Sequence, residues 1–140
     1  MPALFGPAGN SDSFSKKYRS SSKAPLFVKE MGLDCDEYQC GRGVRVSEKS
    51  ASEIRSCAEE NGIKLTLHAP YFISLSSIEP EKRDNSINYI LQSCEAALKI
   101  GADRIVIHSG SCAKITREHA LELAKDTITR ARKKAVELGY

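Results

Sequence analysis

A short apolar stretch, a polar loop and an amphipathic helix closed by glycine recur down this chain, and that alternation constrains its fold more than any single motif does. Ile63-Lys64-Leu65-Thr66-Leu67-His68 alternates as a strand. The loop from Ala69 to Glu79 leads into a helix from about Pro80 to Ile100, with Ile87, Ile90, Leu91, Cys94 and Leu98 on one side and Gly101 behind it. Arg104-Ile105-Val106-Ile107-His108 follows, nearly continuous in apolar residues, as expected of a parallel strand covered by helices. A last helix from about Thr116 to Leu138 is expected to bury Leu121, Ala124, Ile128, Ala131 and Ala135.

The upstream half repeats the pattern less cleanly. Cys35 to Cys40 reads as a short strand ended by Gly41-Arg42-Gly43. Ser47 then opens a helix with Ile54, Cys57 and Ala58 on one face and Asn61-Gly62 at its close. The segment from Pro2 to Asn10 predicts a first strand at Ala3-Leu4-Phe5, broken by Gly6-Pro7. Polar residues from Ser11 to Ser21 predict a loop. Ser22 is then the expected cap of a helix with Pro25 in its first turn, Leu26, Phe27 and Met31 inward, and Gly32 as its stop.

Strands alternating with helices demand parallel pairing through crossovers, so the class is α/β. Neither a three-glycine dinucleotide loop nor a GxxxxGK[ST] phosphate loop occurs, which favours a barrel over a doubly wound nucleotide binder. A complete (β/α)₈ TIM barrel takes roughly 250 residues. Residues 1–140 therefore read as about the first four βα units, the amino-terminal half of one domain, cut short where a fifth strand is due, unless two copies assemble into one barrel.

Twenty-one basic and eighteen acidic residues leave a net charge of +3, too small to argue for nucleic acid by itself. Cys35, Cys40, Cys57, Cys94 and Cys112 are odd in number and lack the close pairing with histidine of a structural zinc site, so they read as reduced thiols of a cytoplasmic protein. No apolar stretch nears the roughly 20 residues that cross a bilayer.

In a parallel barrel the chemistry gathers at the carboxyl ends of the strands. His68 and His108 both close a strand, on neighbours about 5 Å apart, so their rings can reach one point above the barrel mouth. Neutral imidazoles suit zinc and similar ions; the plain alternative is two hydrogen-bonded packing residues. His119, inside the last helix, reads as a surface residue.

Leu67-His68-Ala69-Pro70-Tyr71-Phe72-Ile73-Ser74-Leu75 and Ile107-His108-Ser109-Gly110-Ser111, with Gln39-Cys40-Gly41-Arg42-Gly43 before them, resemble in order three motifs of the endonuclease IV family of DNA repair nucleases. The resemblance implies zinc, up to three ions in a complete protein, and cleavage of double-stranded DNA on the 5′ side of abasic sites. It makes His68 and His108 ligands of one zinc, catalytic through the metal, and implies a bridging glutamate on a fifth strand. Arg42 matches a loop that enters the duplex, and Tyr71 and Phe72 one that wedges the minor groove; a solvated loop charge and core packing are the alternatives. It also implies a monomer for the complete protein, with association open to the fragment. The start, Leu4-Phe5-Gly6-Pro7-Ala8-Gly9-Asn10-Ser11, departs from the family's usual Gly-Ala-His-Val-Ser, so no role carries over to that loop.

Two other functions fit the same pattern. A sugar isomerase or epimerase of the related xylose-isomerase-like barrels would hold one metal mostly by carboxylates. A non-catalytic nucleic-acid-binding half-barrel would expose two sheet edges and self-associate.

Overall fold

The computed structural model describes residues 3–140. In chain order it contains helices α1 (Asp12–Lys17) and α2 (Ala24–Glu30), strand β1 (Cys35–Gln39), α3 (Glu48–Asn61), β2 (Lys64–His68), α4 (Pro80–Ile100), β3 (Ile105–Val106) and α5 (Arg117–Glu137). The strands lie side by side as β1-β2-β3, all parallel, with Gln39 opposite His68 and His68 opposite Val106. Neighbouring in chain order with helical crossovers between, they form the partial barrel that the alternation predicts.

Side-chain alternation divides the sheet into two faces. Leu65 and Leu67 of β2 are buried against the helices, packed with Val28, Ile54, Ala58 and Ile100. Ile105 joins the same packing, and Ile107 joins a second cluster built on Ile73, Leu75, Ile87, Ile90 and Ala131. Glu37, Gln39, Thr66, His68, Val106 and His108 consequently occupy the opposite, inner face.

The helices start and stop for readable reasons. Ser47 Oγ accepts the Ser50 amide and Thr116 Oγ1 accepts the His119 amide, each satisfying a donor that the first turn leaves free. Gly62 and Gly101 adopt left-handed backbone after α3 and α4, which lets their amides return to the last carbonyls.

The first unit departs from expectation. Pro2 lies outside the described residues, and Ala3-Leu4-Phe5 forms no strand. The segment still runs alongside β1: Phe5 O accepts the Asp34 and Cys35 amides, Glu37 N–H donates to Pro7 O, and Gly9 N–H to Glu37 O. Ala8 and Glu37 make an isolated parallel bridge. Pro7 has no N–H to give the rung between those of Phe5 and Gly9, which interrupts the ladder. A Cβ on Gly6 would overlap the Cys35 carbonyl, so only glycine permits this close approach.

The expected loop after Asn10 contains α1, capped by Ser11, whose hydroxyl accepts the Phe14 amide. Ser22 is no cap: it lies buried in a 3-10 turn (Ser21–Lys23) whose cap is Ser20. In α2 the buried residues are Ala24, Pro25 and Val28, while Leu26 and Phe27 are half-buried and Met31 is exposed. Leu98 of α4 is also exposed. On α5 the buried face is Ala120, Thr127 and Ala131, and Leu121 and Ile128 lie outside it. Small residues let α5 approach closely, which leaves the larger apolar side chains one step around the helix. The expected strand from Arg104 to His108 shrinks to Ile105–Val106, since only one of its sides has a partner.

Candidate metal centre at the strand ends

The ladder between β1 and β2 reaches its end at the Cys40 amide, which donates to His68 O, and that between β2 and β3 at the Ala69 amide, which donates to Val106 O. These bonds hold the last residue of β2 between two neighbours. His108, two residues beyond Val106, projects from the same face. The two imidazoles meet with ring centroids 5.0 Å apart and planes inclined at 63°.

His68 Nδ1–H donates to Ala69 O at 2.9 Å. A carbonyl can only accept, so this bond places the proton on Nδ1 and leaves the Nε2 lone pair free. That is the arrangement of a metal-ligating histidine whose other nitrogen is anchored. His68 is half-buried and His108 exposed, so one ring is held and the other is reached from solvent. Among the described residues no third His, Cys, Asp or Glu joins them in a three-ligand cluster. Two imidazoles are half of the four donors that a zinc ion commonly takes.

The three residues expected to touch DNA sit on the same rim. Arg42 is exposed in the turn after β1, where the Gly43 amide donates to Cys40 O. The Tyr71 amide reaches Gly41 O at 3.5 Å, which brings that turn beside the loop after β2. Tyr71 is 63% and Phe72 40% exposed, so neither packs in the core. Tyr71 stands edge-on to Phe72, and Phe72 in turn lies 4.7 Å, centroid to centroid, from the Tyr89 ring of α4. His119 is exposed on α5, as expected, far down the chain from the pair in its own helix cap.

Polar residues that sequence reasoning passed over lie below the histidines on the inner face. Gln39 Nε2 donates to Glu37 Oε1 at 2.9 Å, and Thr66 Oγ1 lies 3.5 Å from Glu37 Oε2. Their signal was the alternation of Cys35-Asp36-Glu37-Tyr38-Gln39, obscured because no residue there but Tyr38 is large and apolar. Asp36 points the other way, toward the helices, where burial pushes its carboxyl up to about 6. Burial likewise pushes the Cys40 thiol up to about 11, which suits a small packing residue, and all five cysteines are unpaired. No helix among the described residues is long and apolar enough to cross a membrane.

A family model described as xylose isomerase-like TIM barrel matches residues 26–140. An uncharacterized protein of Methanocaldococcus jannaschii is 28% identical over 127 residues, 91% of this chain and 44% of that protein. A probable endonuclease 4 of Acholeplasma laidlawii is 30% identical over 73 residues, 50% of this chain and 25% of that one. Among solved structures, D-psicose 3-epimerase from Clostridium cellulolyticum superposes with a TM-score of 0.73 at 21% identity, over 94% of this chain and 46% of its own. Endonuclease IV from Thermus thermophilus superposes with a TM-score of 0.60 at 22% identity, over 79% and 42%. Structural likeness at such identities shows a common fold and nothing finer. The chain spans less than half the length of each of these relatives.

Proposed function

The chain belongs to the xylose isomerase-like TIM barrel family, and from that membership we propose that it forms the amino-terminal half of a zinc-dependent endonuclease that cuts double-stranded DNA on the 5′ side of abasic sites. The observation that carries this reading is the meeting of His68 and His108 at the ends of adjacent parallel strands, 5.0 Å between ring centroids. Relatives named probable endonuclease 4 support it, as do the motifs around both histidines.

In this reading His68, anchored through Nδ1, presents Nε2 to the ion, and His108 supplies a second imidazole. Zinc bound there would provide a hydroxide at neutral pH and neutralise charge on the phosphate oxygens. Arg42 takes a backbone phosphate or enters the duplex, and Tyr71 and Phe72 wedge the base stack, which opens most cheaply where pairing is already lost. The remaining zinc ligands belong to strands beyond β3, so the 140 residues alone hold one ion and do not turn over.

The test is made on this chain. Zinc binding is followed by competition with a chromophoric chelator, and DNA binding by anisotropy of a labelled duplex with and without one tetrahydrofuran abasic analogue. Roughly one zinc per chain and tighter binding of the abasic duplex are expected. Zinc without any preference for the lesion, together with binding of a ketohexose, would move the assignment to the epimerases. DNA binding that ignores both metal and lesion would make the chain a simple binding module.

A further inference from the structure

We propose that Glu37 is the anionic positioning residue of the histidine centre, acting on a bound dication through a water molecule and not as a direct ligand. The inference rests on reading the pair as a metal centre and adds a residue to it from a different strand.

Barrel interiors are ordinarily filled by layers of branched apolar side chains. Here the inner face of β1 instead presents a half-buried carboxylate, one residue pair below the level of the histidines: Glu37 is opposite Thr66, and Gln39 is opposite His68. A carboxylate taken part of the way out of water is expensive unless charge or hydrogen bonds offset it. The Glu37 partners are uncharged, the Gln39 amide and the Thr66 hydroxyl. Neither brings a positive charge to cancel its own, and the Gln39 bond draws the carboxylate toward the mouth of the sheet.

Strand spacing and rise put the Glu37 and His68 Cα atoms roughly 8 Å apart. Two ligand side chains can span that separation to one ion, but the Glu37 carboxylate is turned to the Gln39 amide and the Thr66 hydroxyl, a placement that keeps it out of any three-ligand cluster with the two imidazoles among the described residues. That placement suits one intervening water, which the carboxylate would accept a hydrogen bond from while its charge favours the dication. Imidazole ligands add no negative charge, so Glu37, the one acid among the strand residues on this face, is the anion placed to balance a cation bound there.

The experiment titrates Zn²⁺ and Co²⁺ into the full chain and its variants, with circular dichroism to verify folding. Glu37→Gln is expected to weaken Zn²⁺ binding about tenfold, to leave the position and shape of the Co²⁺ d–d band unchanged, and to be rescued by Glu37→Asp. Affinity of Glu37→Gln within twofold of the parent overturns the proposal, and so does an altered Co²⁺ band, which would make Glu37 a ligand. If Glu37→Gln fails to fold, Gln39→Glu, which adds a carboxylate on the same face at the level of His68, is expected to tighten Zn²⁺ binding several-fold, and no tightening overturns the proposal. His68→Ala tests the premise separately: if it binds zinc like the parent, the centre itself is lost, whatever Glu37 does.

Discussion

β2 ends in His68 and β3 is followed two residues on by His108, yet the structure treats the two segments differently. β2 runs its full five residues with a neighbour on each side and two leucines buried beneath it, and its histidine ring is tied to Ala69 O. The loop behind it is fastened at three points: Ser86 exchanges hydrogen bonds with Ser74, Arg83 donates to Ser77 O, and Thr127 donates to Leu75 O. β3 is two residues long at the sheet edge, Val106 is 41% exposed, and its loop passes through Ala113 at a φ of 43°. Arg104-Ile105-Val106-Ile107 is nonetheless the more strand-like sequence. Strand length here follows from the number of partners, not from local propensity. The consequence for the site is one anchored imidazole and one exposed one.

Stability measurements should expose that contrast most strongly. Leu67→Ala removes a fully buried side chain from the doubly paired strand and is expected to cost about 3 to 4 kcal/mol in urea unfolding, against less than about 1 kcal/mol for Val106→Ala at the edge. Equal losses would mean that the edge is covered in solution. Burial on β2's other flank has a second signature in Asp36. Its carboxyl titrates at about 6 when folded, against about 4 when unfolded. Between these values the native state binds more protons at this group, so the Asp36 contribution to stability is greatest below about pH 4, falls as pH rises toward 6, and is level above about 7. Asp36→Asn should flatten that curve and raise stability at pH 7.5 by up to about 3 kcal/mol. A difference between parent and Asp36→Asn that does not change between pH 4 and 7 would show that Asp36 is hydrated.

What could be read in advance follows the same division. The alternation of strands and helices was legible because Gly62 and Gly101 end helices, Ser47 and Thr116 begin them, and apolar periodicity runs unbroken between. The histidine pair was legible because both residues close a strand. Pro7 hid the fate of the first strand: a missing donor matters only once a neighbour is known. Leu121 and Ile128 were misplaced because apolar periodicity locates a stripe but not which of its two flanks alanine lets approach. Glu37 escaped notice because the polarity of β1 conceals its alternation, and its relation to His68 exists only through strand register.

On the rim, the turn after β1 and the fastened loop after β2 should act on DNA in different ways. Arg42→Ala is expected to weaken the abasic duplex by about tenfold and to lower the salt slope by about one. Tyr71→Ser should cost a similar factor while leaving the salt slope unchanged, because a wedge acts through stacking and not through counterions. Anisotropy titrations at several salt concentrations separate the two, and equal slopes for both variants would remove Arg42 from the phosphate contacts.

The smallest effect concerns a side-chain hydrogen bond that joins the two loops. Ser76 Oγ, buried in the loop after β2, donates to Ser111 O at 2.7 Å, and Gly110 lies so close that a Cβ there would overlap the same oxygen. Ser76→Ala leaves the Ser111 carbonyl without this donor and is expected to cost about 1 kcal/mol. The cost should fall unevenly. Ser86, Arg83 and Thr127 still hold residues 74–77, whereas residues 109–115 lose an anchor beside His108. Amide exchange should therefore accelerate in 109–115 and not in 73–77, and zinc affinity should fall about two- to threefold, since His108 would surrender more conformational freedom on binding. Equal acceleration of both loops would mean that β2's rim depends on β3's as much as the reverse. The contrast between an anchored and an exposed histidine would then have to give way to a single cooperative rim.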